Sequence, residues 1–374
     1  MILSSEYTGH GHASIAKALT AHLDTHSDVR YQVVDAFSLN GKPGILISKA
    51  YGPITRHSPG SYRLLYSLSN RHPARQNRFS AALIRRRFLK VIAEFRPDLI
   101  LNLHPLFCGS VLNILESRKI DIPVITLLAD MANMHSCWFD VRNRLTLCPT
   151  SEALAQGLRM GLPEEKLRLV GFPVNRNFTE AARRAAPRAY EEGKPLRCLL
   201  MSGAECSGKL ERYALQLLEH VDCRVTVICG RNERMLHRFT RNLVPRYGDR
   251  IRVLGFQNNI WEHMMDTDIL IARASPNTMM EAVVMNVPLI ITGALPGQEA
   301  ENPALVRDHN LGVVCTDPDT IPSIIEQLVR DHGRGLEEIR ESQRVYRDLD
   351  AAEKIVSLVL EACSESAADA GKGR

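Results

Sequence analysis

The sequence predicts an α/β protein with two parallel-sheet domains in tandem. Short apolar runs alternate with helical patterns along nearly the whole chain, which is the pattern of a parallel sheet flanked by helices. The alternation breaks once, where Gly171-Phe-Pro-Val-Asn is followed by the charged stretch Ala181–Lys194, and then restarts. A chain of 374 residues is long enough to bury about two cores.

In order, the strand candidates of the first half are Met1–Ser4, Tyr31–Asp35, Leu99–Leu103, Val124–Leu128 and Arg144–Cys148, with helical patterns such as Ala13–Leu23 and Ala81–Glu94 between them. After the break come Arg197–Ser202, Arg224–Cys229, Arg252–Gly255, Ile269–Ala272, Pro288–Thr292 and Gly312–Cys315. Helices are expected over Lys209–Glu219, Arg231–Arg241, Thr278–Met285 and Thr320–Asp331. This divides the chain into domains at 1–175 and 195–335, a helix over 336–362 and a tail, 363–374, whose Ala, Gly, Ser and charge predict disorder.

Composition is that of an ordinary globular protein, 45% hydrophobic and 24% charged. The apolar runs fall well short of the ~20 residues that cross a bilayer, and the Gly/His-rich turn at Thr8 follows the first apolar residues too soon for a signal peptide. Nine cysteines without a C-x-x-C pair read as reduced thiols in a cytosolic protein, not as disulfides or a zinc site. The net charge of +5 is uneven: residues 1–180 hold 22 Lys/Arg against 14 Asp/Glu, the rest 25 against 28. Between Arg56 and Arg96, ten basic residues face a single acid, Glu94. Such a block calls for an anionic partner, a membrane surface or a nucleic acid. No recognition motif or aromatic platform favours nucleic acid. Around Arg85, Arg86, Arg87 and Lys90 stand Leu83, Ile84, Phe88, Leu89, Val91 and Ile92, a basic amphipathic segment suited to an anionic leaflet or to a solvated helix covering its own domain.

Three constellations carry chemistry. T-G-H-G-H at Thr8–His12 joins a strand to a helix, where glycines permit close backbone approach and histidines serve as base or hydrogen-bonding groups; an exposed turn with incidental histidines is the bland alternative. S-G-A-E-C-S-G at Ser202–Gly208 sits likewise between strand and helix, with Gly203, Ser207 and Gly208 leaving room for a phosphate. It lacks the Gly-Lys-[Ser/Thr] of a P-loop. The longest is R-A-S-P-N-T-M-M-E-A at Arg273–Ala282, followed by P-G-Q-E-A-E-N at Pro296–Asn302. Ser275, Asn277 and Thr278 open a helix whose free N–H groups favour a diphosphate. Glu281, one turn on, can accept hydrogen bonds from ribose hydroxyls, and Gln298 and Glu299 suit sugar hydroxyls. A capping box explains Thr278 and Glu281 but not the second loop.

Together with L-L-A-D-M-A-N-M-H-S-C-W-F at Leu127–Phe139, P-T-S-E at Pro149–Glu152, V-G-F-P-V at Val170–Val174, C-G-R-N at Cys229–Asn232 and G-F-Q-N-N at Gly255–Asn259, these motifs resemble the diacylglycerol glycosyltransferases of glycosyltransferase family 28: monogalactosyldiacylglycerol synthases and processive diacylglycerol glucosyltransferases. The resemblance runs from Met1 to about Thr316. It implies a GT-B fold, two Rossmann-like α/β domains facing a cleft with a C-terminal helix. It also implies inverting transfer of galactose or glucose from a UDP-sugar to diacylglycerol or a glycosyl-diacylglycerol, with no cofactor and no bound metal. By position, His12, Asp130 and His135 take the catalytic side. Arg231, the backbone around Phe256, Ser275, Asn277, Thr278, Glu281, Gln298 and Glu299 take the nucleotide and sugar. The chain differs from the family at His10, usually Gly, at Ala13, usually basic, and at Ala274-Ser275-Pro276-Asn277-Thr278, usually A-G-x-x-T. The resemblance implies an enzyme peripheral on the inner face of the cell membrane, docked through Arg56–Arg96. The alternatives are an N-acetylglucosaminyltransferase acting on a polyprenyl-linked peptidoglycan precursor and a non-catalytic nucleotide-sugar-binding protein.

Overall fold

A computed structural model describes residues 1–6, 11–46, 49, 59–186, 188–201 and 209–372. The chain forms two compact units that are not contiguous in sequence. The first comprises Met1–Asn175, Leu295–Ala300 and Asp350–Arg374, the second Arg176–Ala294 and Glu301–Leu349.

The first unit is a six-stranded parallel sheet, β1 (Ile2–Ser4), β2 (Val33–Asp35), β3 (Ile100–Asn102), β4 (Val124–Leu127), β5 (Leu145–Cys148) and β6 (Leu167–Leu169), in the order β2-β1-β3-β4-β5-β6. Ile2 pairs with Val33 on one side and Leu101 on the other. β4 is buried at every position, as an unbroken apolar run in a parallel sheet covered on both faces must be. β6 escapes the sequence pattern because it is an edge strand, with Arg168 and Leu169 exposed. Helices of this unit include α1 (Gly11–Leu23), α2 (Pro59–Arg71), α3 (Pro73–Phe95), α4 (Pro105–Ser117) and α5 (Ser151–Arg159).

α3 corrects the membrane face expected from its sequence. Ile84, Phe88 and Ile92, spaced four apart, are 1%, 0% and 8% exposed and belong to the core with Leu3, Ile100 and Val111. They form the stripe by which an amphipathic helix docks on its own domain, so they offer nothing to a bilayer. The apolar side chains that do face outward are Phe79 and Leu83, with Leu64 and Leu68 on α2.

The second unit contains α6 (Arg176–Arg184) and a sheet of β7 (Leu196–Met201), β8 (Cys223–Ile228), β9 (Ile251–Leu254), β10 (Ile269–Ala272), β11 (Leu289–Ile291) and β12 (Gly312–Val314), ordered β12-β11-β10-β7-β8-β9. Counted from its own first strand this is the 3-2-1-4-5-6 order of a doubly wound dinucleotide-binding fold. Around it lie α7 (Leu210–His220), α8 (Glu233–Asn242), α9 (Ile260–Met265), α10 (Pro276–Val284), α11 (Asn302–Asp308) and α12 (Ile321–Tyr346). Gly312 is confined by β11, since a Cβ there would lie 2.3 Å from the Leu289 carbonyl oxygen.

The C-terminal region departs from the single helix and disordered tail expected of it. α12 is broken at Arg330–Gly333, where Asp331, His332 and Gly333 take positive φ and any side chain at 333 would collide with Tyr190. It ends at Tyr346, and α13 runs from Ala351 to Lys372, through the stretch read as a tail. α13 packs on α1, burying Ile355 and Val356, and thereby belongs to the first unit.

Open α/β sheets bind ligands beyond the carboxyl ends of their strands, where the strand order reverses. In the first unit that point lies between β1 and β3, and it places His12 beside the residue that follows β3. In the second it lies between β7 and β10, at the start of α10.

Candidate active site

In the first unit aromatic side chains gather at the switch point. His12 stands in the first turn of α1. Its ring centroid is 4.6 Å from that of His104 and 6.3 Å from Trp138. Phe37 meets His104 edge-on at 5.2 Å. The His12 Nδ1 is enclosed with no hydrogen-bond partner among the described residues. Burial pushes the His12 imidazole down to about 4, opposed in part by the Leu103 backbone. It is therefore neutral across the physiological range, as a base must be.

Asp130 follows β4, and its Oδ2 accepts the Trp138 indole N–H at 2.8 Å. Burial pushes its carboxyl up to about 7, against the pull of that hydrogen bond and with the help of Glu299. The structure thus ties Asp130 to His12 through the Trp138 ring. His135 is engaged at both ring nitrogens. Nδ1 accepts from the Cys137 N–H at 3.1 Å, capping the short turn Ser136–Trp138, and Nε2 lies 3.0 Å from Ser69 Oγ. Because Nδ1 accepts, the neutral ring carries its proton on Nε2 and donates it to Ser69. Tyr66 packs edge-on against His135 at 5.0 Å, and burial holds that imidazole down at about 4. His135 braces the Ser136–Trp138 turn, and His104, absent from the sequence reading, stands beside His12. Sequence held one signal for it, a His-Pro step directly after a buried strand.

P-T-S-E proves to be a helix start: Thr150 Oγ1 accepts from the Ala153 N–H at 3.1 Å. Gln298 and Glu299 were assigned by sequence to the second domain. By packing, Leu295–Ala300 belongs to the first unit. The Gly297 carbonyl accepts from Asn133 Nδ2 at 3.2 Å, and a Cβ on Gly297, at φ +94°, would lie 2.9 Å from the Tyr66 ring. Only glycine meets both demands, the close approach and the left-handed backbone. Glu299 is 2% exposed, and its Oε2 accepts the Leu295 N–H at 2.8 Å. Gln298 is half-buried in the same segment.

In the second unit the α10 start carries the remaining residues. Ser275 is the N-cap in extended conformation, its hydroxyl making no cap bond, and Pro276 fills the first helical position. The N–H groups of Asn277 and Thr278 are therefore among those a helix start leaves for an anion. Asn302 Nδ2 donates to the Ala274 carbonyl at 2.9 Å and holds this turn from behind. Glu281 lies one turn into the helix, and burial pushes its carboxyl up to about 8. C-G-R-N is a turn in which Gly230 takes φ +57° and Asn232 Oδ1 caps α8, accepting from the Met235 N–H at 3.0 Å. The Arg231 guanidinium lies over the half-exposed Phe256 ring, 4.6 Å from its centroid. A flat pair of that kind beyond β8 and β9 is a surface on which a nucleobase can stack. Gly203, Ser207 and Gly208 lie outside the described residues.

The two six-stranded parallel sheets with their flanking helices define a two-domain α/β protein of the GT-B fold. Solved structures agree on the fold. MurG of Acinetobacter baumannii aligns over 96% of this chain and 98% of its own with a TM-score of 0.60 and 13% identity. A UDP-GlcNAc 2-epimerase from Neisseria meningitidis gives the same coverage, TM-score and identity.

The chain belongs to glycosyltransferase family 28: residues 12–174 match the monogalactosyldiacylglycerol synthase family model and residues 203–356 the family 28 C-terminal domain. It is 27% identical to the chloroplastic monogalactosyldiacylglycerol synthase of Spinacia oleracea over 95% of this chain and 71% of that protein. It is 29% identical to a probable synthase of Nicotiana tabacum over 87% of this chain and 64% of that one. The chain thus spans about two thirds of the length of these relatives.

Proposed function

We propose that this protein transfers a hexose, galactose or glucose, from a UDP-sugar to diacylglycerol or a glycosyl-diacylglycerol, with inversion and without a bound metal. The observation that carries the reading is the neutral, enclosed His12 at the switch point, within the segment that matches the monogalactosyldiacylglycerol synthase model. The same match favours a diacylglycerol acceptor over a polyprenyl-linked one. The acceptor hydroxyl oxygen forms a bond to the anomeric carbon, the bond from that carbon to the UDP oxygen breaks, and UDP leaves with the electron pair. The hydroxyl proton passes to His12. The imidazole gains a positive charge as the departing UDP gains a negative one.

The α10 start receives the diphosphate, Glu281 the ribose hydroxyls, and Arg231 with Phe256 the base. Gln298 and Glu299 serve the transferred sugar. The acceptor arrives in a bilayer, and an anionic leaflet is met by Arg63, Arg71, Arg75, Arg78 and Lys90 with Phe79, Leu83, Leu64 and Leu68 exposed among them. No helix among the described residues is long and apolar enough to cross a membrane, so the reading places the enzyme peripherally, on the inner face of the cell membrane.

The deciding experiment incubates the protein with diacylglycerol liposomes and a panel of UDP-sugars, with and without EDTA, and reads the lipids by mass spectrometry. His12→Ala is expected to cut turnover by at least about 100-fold while leaving UDP affinity unchanged. Unchanged turnover removes His12 from the mechanism, and loss of turnover in EDTA refutes metal independence.

A further inference from the structure

We propose that His104 is a positioning residue for His12, its clamped ring fixing the orientation of the catalytic imidazole and leaving His12 as the one proton acceptor of the pair. The proposal rests on reading His12 as the base. His104 follows β3 and is 5% exposed. Its ring is held on several sides. Nδ1 accepts the Leu106 N–H at 3.3 Å as the N-cap of α4, Phe37 meets it edge-on at 5.2 Å, and Phe107 lies 5.2 Å away at 52°. Its own main-chain N–H is bound to Asn102 Oδ1 at 3.3 Å. A ring so fixed presents a constant surface to His12, whose centroid is 4.6 Å away at an interplanar angle of 50°.

The cap also settles which imidazole takes a proton. A neutral imidazole has one basic lone pair. In His104 that lone pair is the Nδ1 acceptor of the α4 cap, so protonation there would break the cap and leave a helix N–H unpaired. Two imidazolium rings at this separation would repel each other as well. His12, by contrast, has an Nδ1 that caps nothing. Among the described residues the other titratable groups around the pair are His135, which adds to burial and His12 in holding His104 well below the usual imidazole range, and Asp130, which accepts the Trp138 indole N–H. Among the described residues none of these supplies a carboxylate to His12; a backbone hydrogen bond to Leu103 holds its ring at one point, and the His104 face against it fixes the ring plane.

Two variants separate ring from cap. His104→Phe keeps an aromatic ring and removes the cap acceptor. His104→Asn keeps a good N-cap and removes the ring. With UDP-galactose and dioctanoylglycerol, His104→Phe is expected to hold kcat within about threefold, and His104→Asn to lose about tenfold or more in kcat with the KM for UDP-galactose unchanged. An active His104→Asn beside an inactive His104→Phe overturns the proposal in favour of a helix cap alone. Loss in both with a raised acceptor KM overturns it in favour of direct contact with the acceptor.

Imidazole NMR of the 15N-histidine-labelled chain gives a readout that needs no turnover. The His12 titration midpoint should rise in His104→Asn, where water reaches the ring, and stay put in His104→Phe. A midpoint unmoved in both overturns the proposal. Wild-type protein that transfers no sugar refutes the functional reading instead, with the NMR result still deciding the contact. Thermal melts of both variants confirm that each folds.

Discussion

Trp138 donates its indole N–H to Asp130 at 2.8 Å, and its ring lies 6.3 Å from that of His12. The bond explains a carboxylate in a buried place: the indole supplies one donor, and protonation supplies the rest. Asp130 therefore reaches about 7, well above its ordinary range, chiefly through burial.

The first prediction concerns pH. An Asp raised in the folded state binds its proton there while the unfolded chain has already lost it. Its favourable contribution is complete below about pH 4, declines as pH rises, and is gone once pH passes the folded value near 7. Asp130→Asn keeps an oxygen for the indole and cannot ionise. It should unfold at higher temperature than wild type at pH 8, by at least about 1 kcal/mol in stability, with the advantage vanishing toward pH 4. A difference independent of pH, followed by calorimetry from pH 4 to 8, would show that Asp130 does not titrate in this range.

A second prediction tests Gly297. Alanine there would bring its Cβ to 2.9 Å from the Tyr66 ring at a φ of +94°. Gly297→Ala should cost about 1–3 kcal/mol from backbone strain, and more if Tyr66 cannot move. Adding Tyr66→Ala should recover the steric part and leave the backbone part. Urea denaturation of the single and double variants measures both terms, and a Gly297→Ala variant as stable as wild type would contradict the close approach.

Glu281 yields a third. Burial raises its carboxyl to about 8. Ribose hydroxyls that donate to the carboxylate favour its charged form, so UDP binding should release a proton near pH 7. UDP affinity should rise by up to about tenfold per pH unit between pH 6 and 8 and level off above. Isothermal titration in buffers of different ionisation enthalpy counts the proton directly. Glu281→Gln should abolish both the release and the pH dependence; if the slope survives in that variant, another group is responsible.

The fourth concerns the surface of α2 and α3. Phe79 is 64% exposed and Leu64 61%. Replacing both with Ser should weaken sedimentation with anionic vesicles by roughly the transfer free energy of two large apolar side chains, about 3–5 kcal/mol if both insert fully. Ile84→Ser should instead destabilise the fold, because Ile84 is 1% exposed. Equal binding to anionic and neutral vesicles at low salt would exclude an electrostatic contribution from the neighbouring arginines.

Much of the fold is legible in the sequence because local pattern controls it. Buried parallel strands such as Ile269–Ala272 are unbroken apolar runs, and a doubly wound sheet repeats the alternation of strand and helix at every step. β6 was missed because an edge strand with Arg168 and Leu169 exposed lacks that run. The helical continuation to Lys372 was missed because Ala, Ser and Glu serve a helix as well as a tail.

Of the site, the sequence by itself determined the chemical inventory: a histidine at the start of α1, a helix N-terminus with Ser275, Asn277 and Thr278, and a carboxylate one turn further on. Those readings come from spacing of a few residues, which backbone geometry translates directly into position. Only the tertiary structure decided which of these groups meet. It set His104 against His12 across 92 positions of sequence, and fastened Asp130 to Trp138. It gave His135 to the Ser136–Trp138 turn and placed Glu299 within the first unit. The reason is physical. Contacts between residues distant in sequence are set by strand order and by the packing of whole elements, and neither is encoded in any short window of residues.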